Sequence, residues 1–146
     1  MKELQIYLCG KMSGLNLRQM NEWRIALKNA LNFVAETTSN VEVNIVNPVD
    51  YYNFENPTHQ SEFEVMQFDL NKVKKSDIVI ANTEGVNTSI GSAIEIYEAN
   101  KRDIPVVMYD PKHEYWHVHP WLKECTSRVE TTVEDLTEYI SEYYLR

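Results

Sequence analysis

The chain has 146 residues, enough for one domain with a sizeable core, and its 43% hydrophobic and 25% charged content is ordinary for a globular protein. A formal net charge of −8 argues against coating a nucleic-acid polymer, which needs clustered Lys and Arg, while a small anionic ligand in a local site stays compatible. There is no apolar run of membrane-spanning length and no signal-peptide core after Met1, and the two cysteines, Cys9 and Cys125, suit a reducing cytoplasm better than a disulfide framework. Gln5 to Cys9 reads as a first strand, running into the loop Gly10-Lys11-Met12-Ser13-Gly14. Two glycines around small or polar residues at a strand end can cradle a phosphate or sugar, or simply form a turn. Asn16 and Gln19 have capping-box spacing, and Met20, Trp23, Leu27, Leu31 and Val34 mark one face of a helix to about Thr37.

Val41 to Val46 is a second strand, closed by Asn47-Pro48. Val49 to Gln60, with Tyr51, Tyr52, Phe54 and Pro57, reads as a loop able to lie over a site or against a neighbouring subunit. A helix is predicted over Ser61–Lys75 with Phe63, Met66, Leu70 and Val73 inward and Asp69 at the border of that face. The β-branched run Ile78 to Ala81 predicts a strand buried on both faces, followed by a polar turn over Asn82–Thr88 that contains Gly85. Thr88 or Ser89 can cap the next helix, whose apolar positions Ile90, Ala93, Ile94 and Tyr97 have helical spacing. Glu95 lies one turn beyond Gly91, beside that stripe, where a ligand approaching the bare glycine would meet a carboxylate. The alternative is a solvated helix glutamate.

Ile104 to Tyr109 is a fourth strand, Asp110–Pro120 a loop rich in His and aromatic residues, and Trp121–Cys125 a short helix. A brief strand near Arg128–Glu130 precedes a last helix from about Val133, capped by Thr132, with Val133, Leu136 and Ile140 inward. No repeat or linker divides residues 1–146, which read as one domain. Strands alternating with helices predict a flavodoxin-like (Rossmann-like) α/β three-layer sandwich, with a five-stranded parallel sheet in the order 2-1-3-4-5. In that order the Gly10–Gly14 and Gly85–Gly91 loops converge at the switch point between the first and third strands, with Glu95 between them.

With these residues assembled, the chain resembles the nucleoside 2-deoxyribosyltransferase family from Ile6 to about Val107. The resemblance rests on Tyr7-Leu8-Cys9-Gly10-Lys11-Met12-Ser13-Gly14, on Asn47-Pro48, on Asp69-Leu70 ahead of Ser76-Asp77-Ile78-Val79-Ile80, and on Ser89-Ile90-Gly91-Ser92-Ala93-Ile94-Glu95 with Tyr97-Glu98-Ala99. The related deoxynucleoside 5′-monophosphate N-hydrolases share these motifs. The resemblance implies that Glu95 is the nucleophile at the anomeric carbon, Asp69 the acid that helps the base depart, and Tyr7 the hydroxyl that orients the nucleophile. It also implies that Gly10, Lys11, Ser13, Gly14, Ser89, Gly91 and Ser92 bind the substrate, with Ser89, Gly14 and the first N–H groups of the helix at the sugar's 5′ end. Cleaving an N-glycosidic bond with retention needs a carboxylate on one face and a proton source at the leaving group. The glycosyl-enzyme then passes the sugar to another base or to water.

The hydrolases carry Ser-Ile-Arg where this chain has Lys11-Met12-Ser13, and a lysine lacks arginine's bidentate fork for phosphate. Many transferases end in a carboxylate lent to the neighbouring subunit, whereas this chain ends Tyr143-Tyr144-Leu145-Arg146. The expected function is transfer of deoxyribosyl groups between bases. The alternatives are hydrolysis of 2′-deoxynucleoside 5′-monophosphates and a non-catalytic nucleotide-binding module. No cofactor is expected, and the partners are a small nucleoside or nucleotide and further copies of the chain, as a homodimer or larger oligomer. His113, His117 and His119 crowd one loop, but zinc wants three or four convergent ligands and no nearby acid has motif spacing, so no metal is expected. Cys9 reads as a small buried residue.

Overall fold

Lys2–Cys9 (β1), Val41–Val46 (β2), Ile78–Asn82 (β3), Val106–Tyr109 (β4) and Arg128–Glu130 (β5) pair in parallel in the order β2-β1-β3-β4-β5, the order expected from the alternating pattern. The structure, a computed structural model, describes residues 2–53 and 55–146; Phe54, counted above among the loop aromatics, lies outside the described residues. β1 and β3 are central, with Tyr7 opposite Val79 and Cys9 opposite Ala81. Every residue of β3 is buried, as a continuous apolar run between two helical layers requires.

The helices are Leu17–Thr38 (α1), Glu62–Lys74 (α2), Ile90–Lys101 (α3), Pro120–Glu124 (α4) and Val133–Tyr144 (α5). Local chemistry starts most of them. The Asn16 side chain accepts from the Gln19 N–H at 2.8 Å while Gln19 returns the bond to the Asn16 N–H, completing the capping box of α1. Ser61 and Thr132 cap α2 and α5 in the same way, each accepting from an N–H three residues on. Among the described residues no helix is long and apolar enough to cross a membrane.

Strand pleating divides the interior in two. Ile6, Leu8, Ile78, Ile80 and Val107 face α1 and α5, where Leu27, Leu31, Leu136 and Ile140 meet them. Tyr7, Cys9, Val79, Ala81 and Met108 face the other way, against Val73 of α2, Ile96 and Ala99 of α3 and Leu122 of α4. Burying each such aliphatic side chain contributes ~1.5–3 kcal/mol.

Two helix faces differ from the expectation. On α2 only Val73 of the four predicted inward residues is buried; Phe63 is 62% exposed and Met66 is exposed as well. Met66 and Leu70 stand over a cavity rather than over the sheet, so they have no core to fill. On α3 only Ala93 of the predicted stripe packs against the core; Ile90 (77% exposed), Ile94 and Tyr97 face outward, while Ser92, Glu95, Ile96 and Ala99 turn toward the sheet. Both sets have helical spacing. The polar set wins because Ser92 and Glu95 find partners on β1 and because small Ser92 and Ala99 let the helix approach closely.

Candidate active site

A cavity of about 660 Å³ opens at the carboxyl ends of β1 and β3, where an open α/β sheet of this order binds its ligands. Tyr7, Gly10, Lys11, Ser13, Asp69, Ser89, Gly91, Ser92 and Glu95 all contribute to its wall. Gly14 does not. It sits past the cradle at φ +79, and its role is the left-handed turn that leads into α1.

Glu95 is held from β1. Tyr7 and Cys9 are two residues apart on one strand and therefore point to the same side. The Tyr7 hydroxyl donates to Glu95 Oε2, and Cys9 Sγ lies 3.4 Å from Oε1 and 3.6 Å from the Ser92 carbonyl. Each carboxylate oxygen thus has its own donor, which fixes the plane of the group. The carboxylate opens onto the cavity, yet protein surrounds it closely enough that desolvation raises its pKa to about 7, against the lowering effect of the Tyr7 hydrogen bond. Burial and the neighbouring carboxylates push the Tyr7 phenol well up, so it stays a donor at any ordinary pH.

Asp69 approaches from α2. Tyr51 and Tyr52, from the loop after β2, both donate to its Oδ1, at 3.1 and 2.7 Å. Burial raises the Asp69 pKa, and the two tyrosine bonds oppose that rise. Two acids with raised pKa values thus line one cavity.

The two glycine loops meet as their position in the sheet demands. Lys11 crosses from the first to the second, donating to Thr88 Oγ1 at 3.2 Å with its stem laid on Gly85, whose φ is +68. A Cβ at Gly10 would stand 2.5 Å from the Trp23 ring, so the close packing of α1 against the loop requires glycine there. A Cβ at Gly91 would meet nothing within 4 Å, which leaves the start of α3 open to a ligand. Ser89 makes no side-chain cap; its hydroxyl pairs with that of Ser92 at 2.7 Å.

Three features escaped the reading of the sequence. Tyr51 and Tyr52 belong to Asp69, and Cys9 touches Glu95; nothing local connects residues so far apart in the chain. The third is Arg24, fully buried behind the cradle loop. It had a legible signal, a charge between Met20 and Leu27 on the apolar face of α1. Among the described residues no group of three or more His, Cys, Asp or Glu side chains is arranged to hold a metal. His119 accepts from the Trp121 N–H and caps α4.

No protein-family model and no curated protein sequence matches the chain. Solved structures do. A conserved protein from Enterococcus faecalis V583 superposes with a TM-score of 0.75 at 19% identity, covering 96% of this chain and 98% of that one. A 2-deoxyribosyltransferase from Bacillus psychrosaccharolyticus gives 0.64 at 18% identity over 92% and 91%. A CMP N-glycosidase from Clostridium botulinum gives 0.55 at 15% identity over 95% and 99%. At these identities the likeness establishes the fold.

Proposed function

We propose that the protein cleaves the N-glycosidic bond of 2′-deoxynucleosides and transfers the deoxyribosyl group to another nucleobase. The observation that carries this reading is the pair Glu95 and Asp69 in one cavity, each carboxyl oriented by tyrosine hydroxyls. The folds shared with a 2-deoxyribosyltransferase and a CMP N-glycosidase support it.

A Glu95 oxygen attacks C1′ as the C1′–N bond breaks; the bond's electron pair leaves with the base, which takes the proton from Asp69. Tyr7 keeps its bond to the other carboxylate oxygen and holds the plane of attack. In the second step a nitrogen of an incoming base attacks C1′, Glu95 departs as carboxylate, and the proton of the incoming base returns to Asp69. Ser89, Ser92, Ser13 and the first N–H groups of α3 hold the sugar's 5′ end. A pKa of about 7 leaves a large fraction of Glu95 ionised at neutral pH. Transfer is favoured over phosphate-dependent hydrolysis because Lys11 is engaged with Thr88 and lies against Gly85, leaving it a weak grip for a phosphate.

Ile90 and Ile94 line the cavity and are exposed, as are Tyr97 and Phe63, and we assign these apolar side chains to contact with a second copy of the chain. Trp116 and Trp121 are also exposed, whereas Tyr51 and Tyr52 are turned onto Asp69 and are not assigned to that contact. Light scattering at micromolar concentration should give a dimer or larger symmetric species; a fully active monomer refutes that part. The activity is tested by supplying a deoxynucleoside with a different free base and separating the products. The exchanged nucleoside is expected, and the Glu95→Gln variant should make none. Free deoxyribose alone, or turnover confined to 5′-monophosphates, assigns the protein to hydrolysis instead.

A further inference from the structure

The residues that α2 contributes to the cavity wall lie on one helical stripe: Glu62, then Val65 and Met66, then Asp69 and Leu70. An acid therefore stands at each end of an apolar stretch. Asp69 is half-buried and takes two tyrosine hydroxyls on Oδ1. Glu62 is exposed at the outer end and, among the described residues, its carboxylate has no hydrogen bond or ion pair. A carboxylate in the first turn also complements the helix dipole. Glu64 fills that role away from the cavity, its Oε2 accepting from the Gln60 N–H at 2.9 Å. What sets Glu62 apart is that it lines the cavity and is left without a partner there.

We propose that Glu62 determines base specificity: it accepts a hydrogen bond from the exocyclic amino group of the base, so that cytosine and adenine are taken in preference to uracil and hypoxanthine. The proposal rests on the reading of Asp69 as the acid at the departing base, which puts the base against α2. Seven residues of helix separate the two acids by about 10 Å, and two hydrogen bonds of about 3 Å leave roughly the width of a base ring with its amino nitrogen. Met66 and Val65, between the acids, offer the flat face of that ring an apolar surface. A carboxylate only accepts, so it receives an amino group and repels a carbonyl oxygen at the same place. Asn53 and His59, polar side chains of the same wall, can each donate and accept and so favour neither kind of base.

The test is calorimetric binding of deoxycytidine against deoxyuridine, and of deoxyadenosine against deoxyinosine, to Glu95→Gln, in which no turnover consumes the ligand. The amino-bearing member of each pair should bind about tenfold more tightly. Adding Glu62→Gln, whose amide can both donate and accept, should bring each ratio to within about twofold of one. Adding Glu64→Gln instead removes the same charge from the same turn and should leave the ratios in place. Equal binding within the pairs, a preference for the carbonyl-bearing members, or binding of none of the four overturns the proposal. So do ratios that survive Glu62→Gln, or that Glu64→Gln erases equally, since the effect is then not a contact of Glu62. The ratios are read without turnover, so the two readings fail separately. An amino preference erased by Glu62→Gln, in a protein whose wild type exchanges no base, would overturn the proposed transfer and leave this inference standing. Base exchange by a wild type without that preference would do the reverse.

Discussion

Glu95→Gln should stabilise the protein against unfolding, increasingly so as the pH rises. The folded-state pKa of Glu95 is about 7 against an ordinary 4.5, so the folded chain holds a proton that the unfolded chain has already released. Stability falls with pH wherever the folded state binds more protons, so the wild type loses stability between about pH 4.5 and pH 7, and the loss is complete above that range. At 1.36 kcal/mol per pH unit the penalty reaches up to ~3 kcal/mol. Glutamine has the same shape, accepts the Tyr7 hydroxyl and carries no charge to desolvate. Its advantage should be near zero at pH 4.5 and ~3 kcal/mol at pH 8, or about 10 °C in Tm for a chain of this size. Urea or thermal unfolding of both proteins from pH 4.5 to 8.5 measures it. Asp69, whose raised pKa acts in the same direction, is present in both proteins. A stability gap that does not change with pH, or a variant less stable than wild type at pH 8, would refute the argument that burial dominates the Glu95 environment.

Tyr52→Phe removes the 2.7 Å bond to Asp69 Oδ1; that bond lowers the Asp69 pKa, so the variant should titrate higher and turn over about tenfold more slowly, read from pH–rate profiles. Gly10→Ala forces a Cβ to 2.5 Å from the Trp23 ring and should cost about 1–3 kcal/mol in urea unfolding. Gly91→Ala has the opposite profile. Its Cβ meets no protein atom, so stability should rise by about 0.5–1 kcal/mol, while the methyl group intrudes on the ligand's space and raises KM.

The sheet order and the start of α1 were legible because their signals are local. A β-branched run makes a buried strand, and Asn16 with Gln19 closes a capping box, whatever the rest of the chain does. The inner face of α3 was ambiguous because two helical stripes interleave, and the choice between them is made by Tyr7 and Cys9, more than eighty residues earlier. The inner face of α2 was misread for a related reason: part of that helix, Met66 and Leu70 included, covers a cavity, and a hydrophobic pattern does not distinguish a core from a ligand site. Position marked Glu95, whereas the clamp of Tyr51 and Tyr52 on Asp69 forms only once the loop after β2 folds over α2.

The two-sided interior separates durability from reactivity. Every group that touches Glu95 or Asp69 directly hangs on the side of the sheet that carries α2 and α3, while the layer between α1 and α5 packs Leu27, Leu31, Leu136 and Ile140 with no reacting group among them. Arg24 is the bridge, rooted in α1 and reaching round the strand ends to the other side. Stability and ligand choice can therefore be addressed by two separate sets of substitutions. Repacking Leu31, Leu136 and Ile140 while sparing Trp23 and Arg24 should act on stability, and redrawing the α2–α3 rim should act on what the cavity admits.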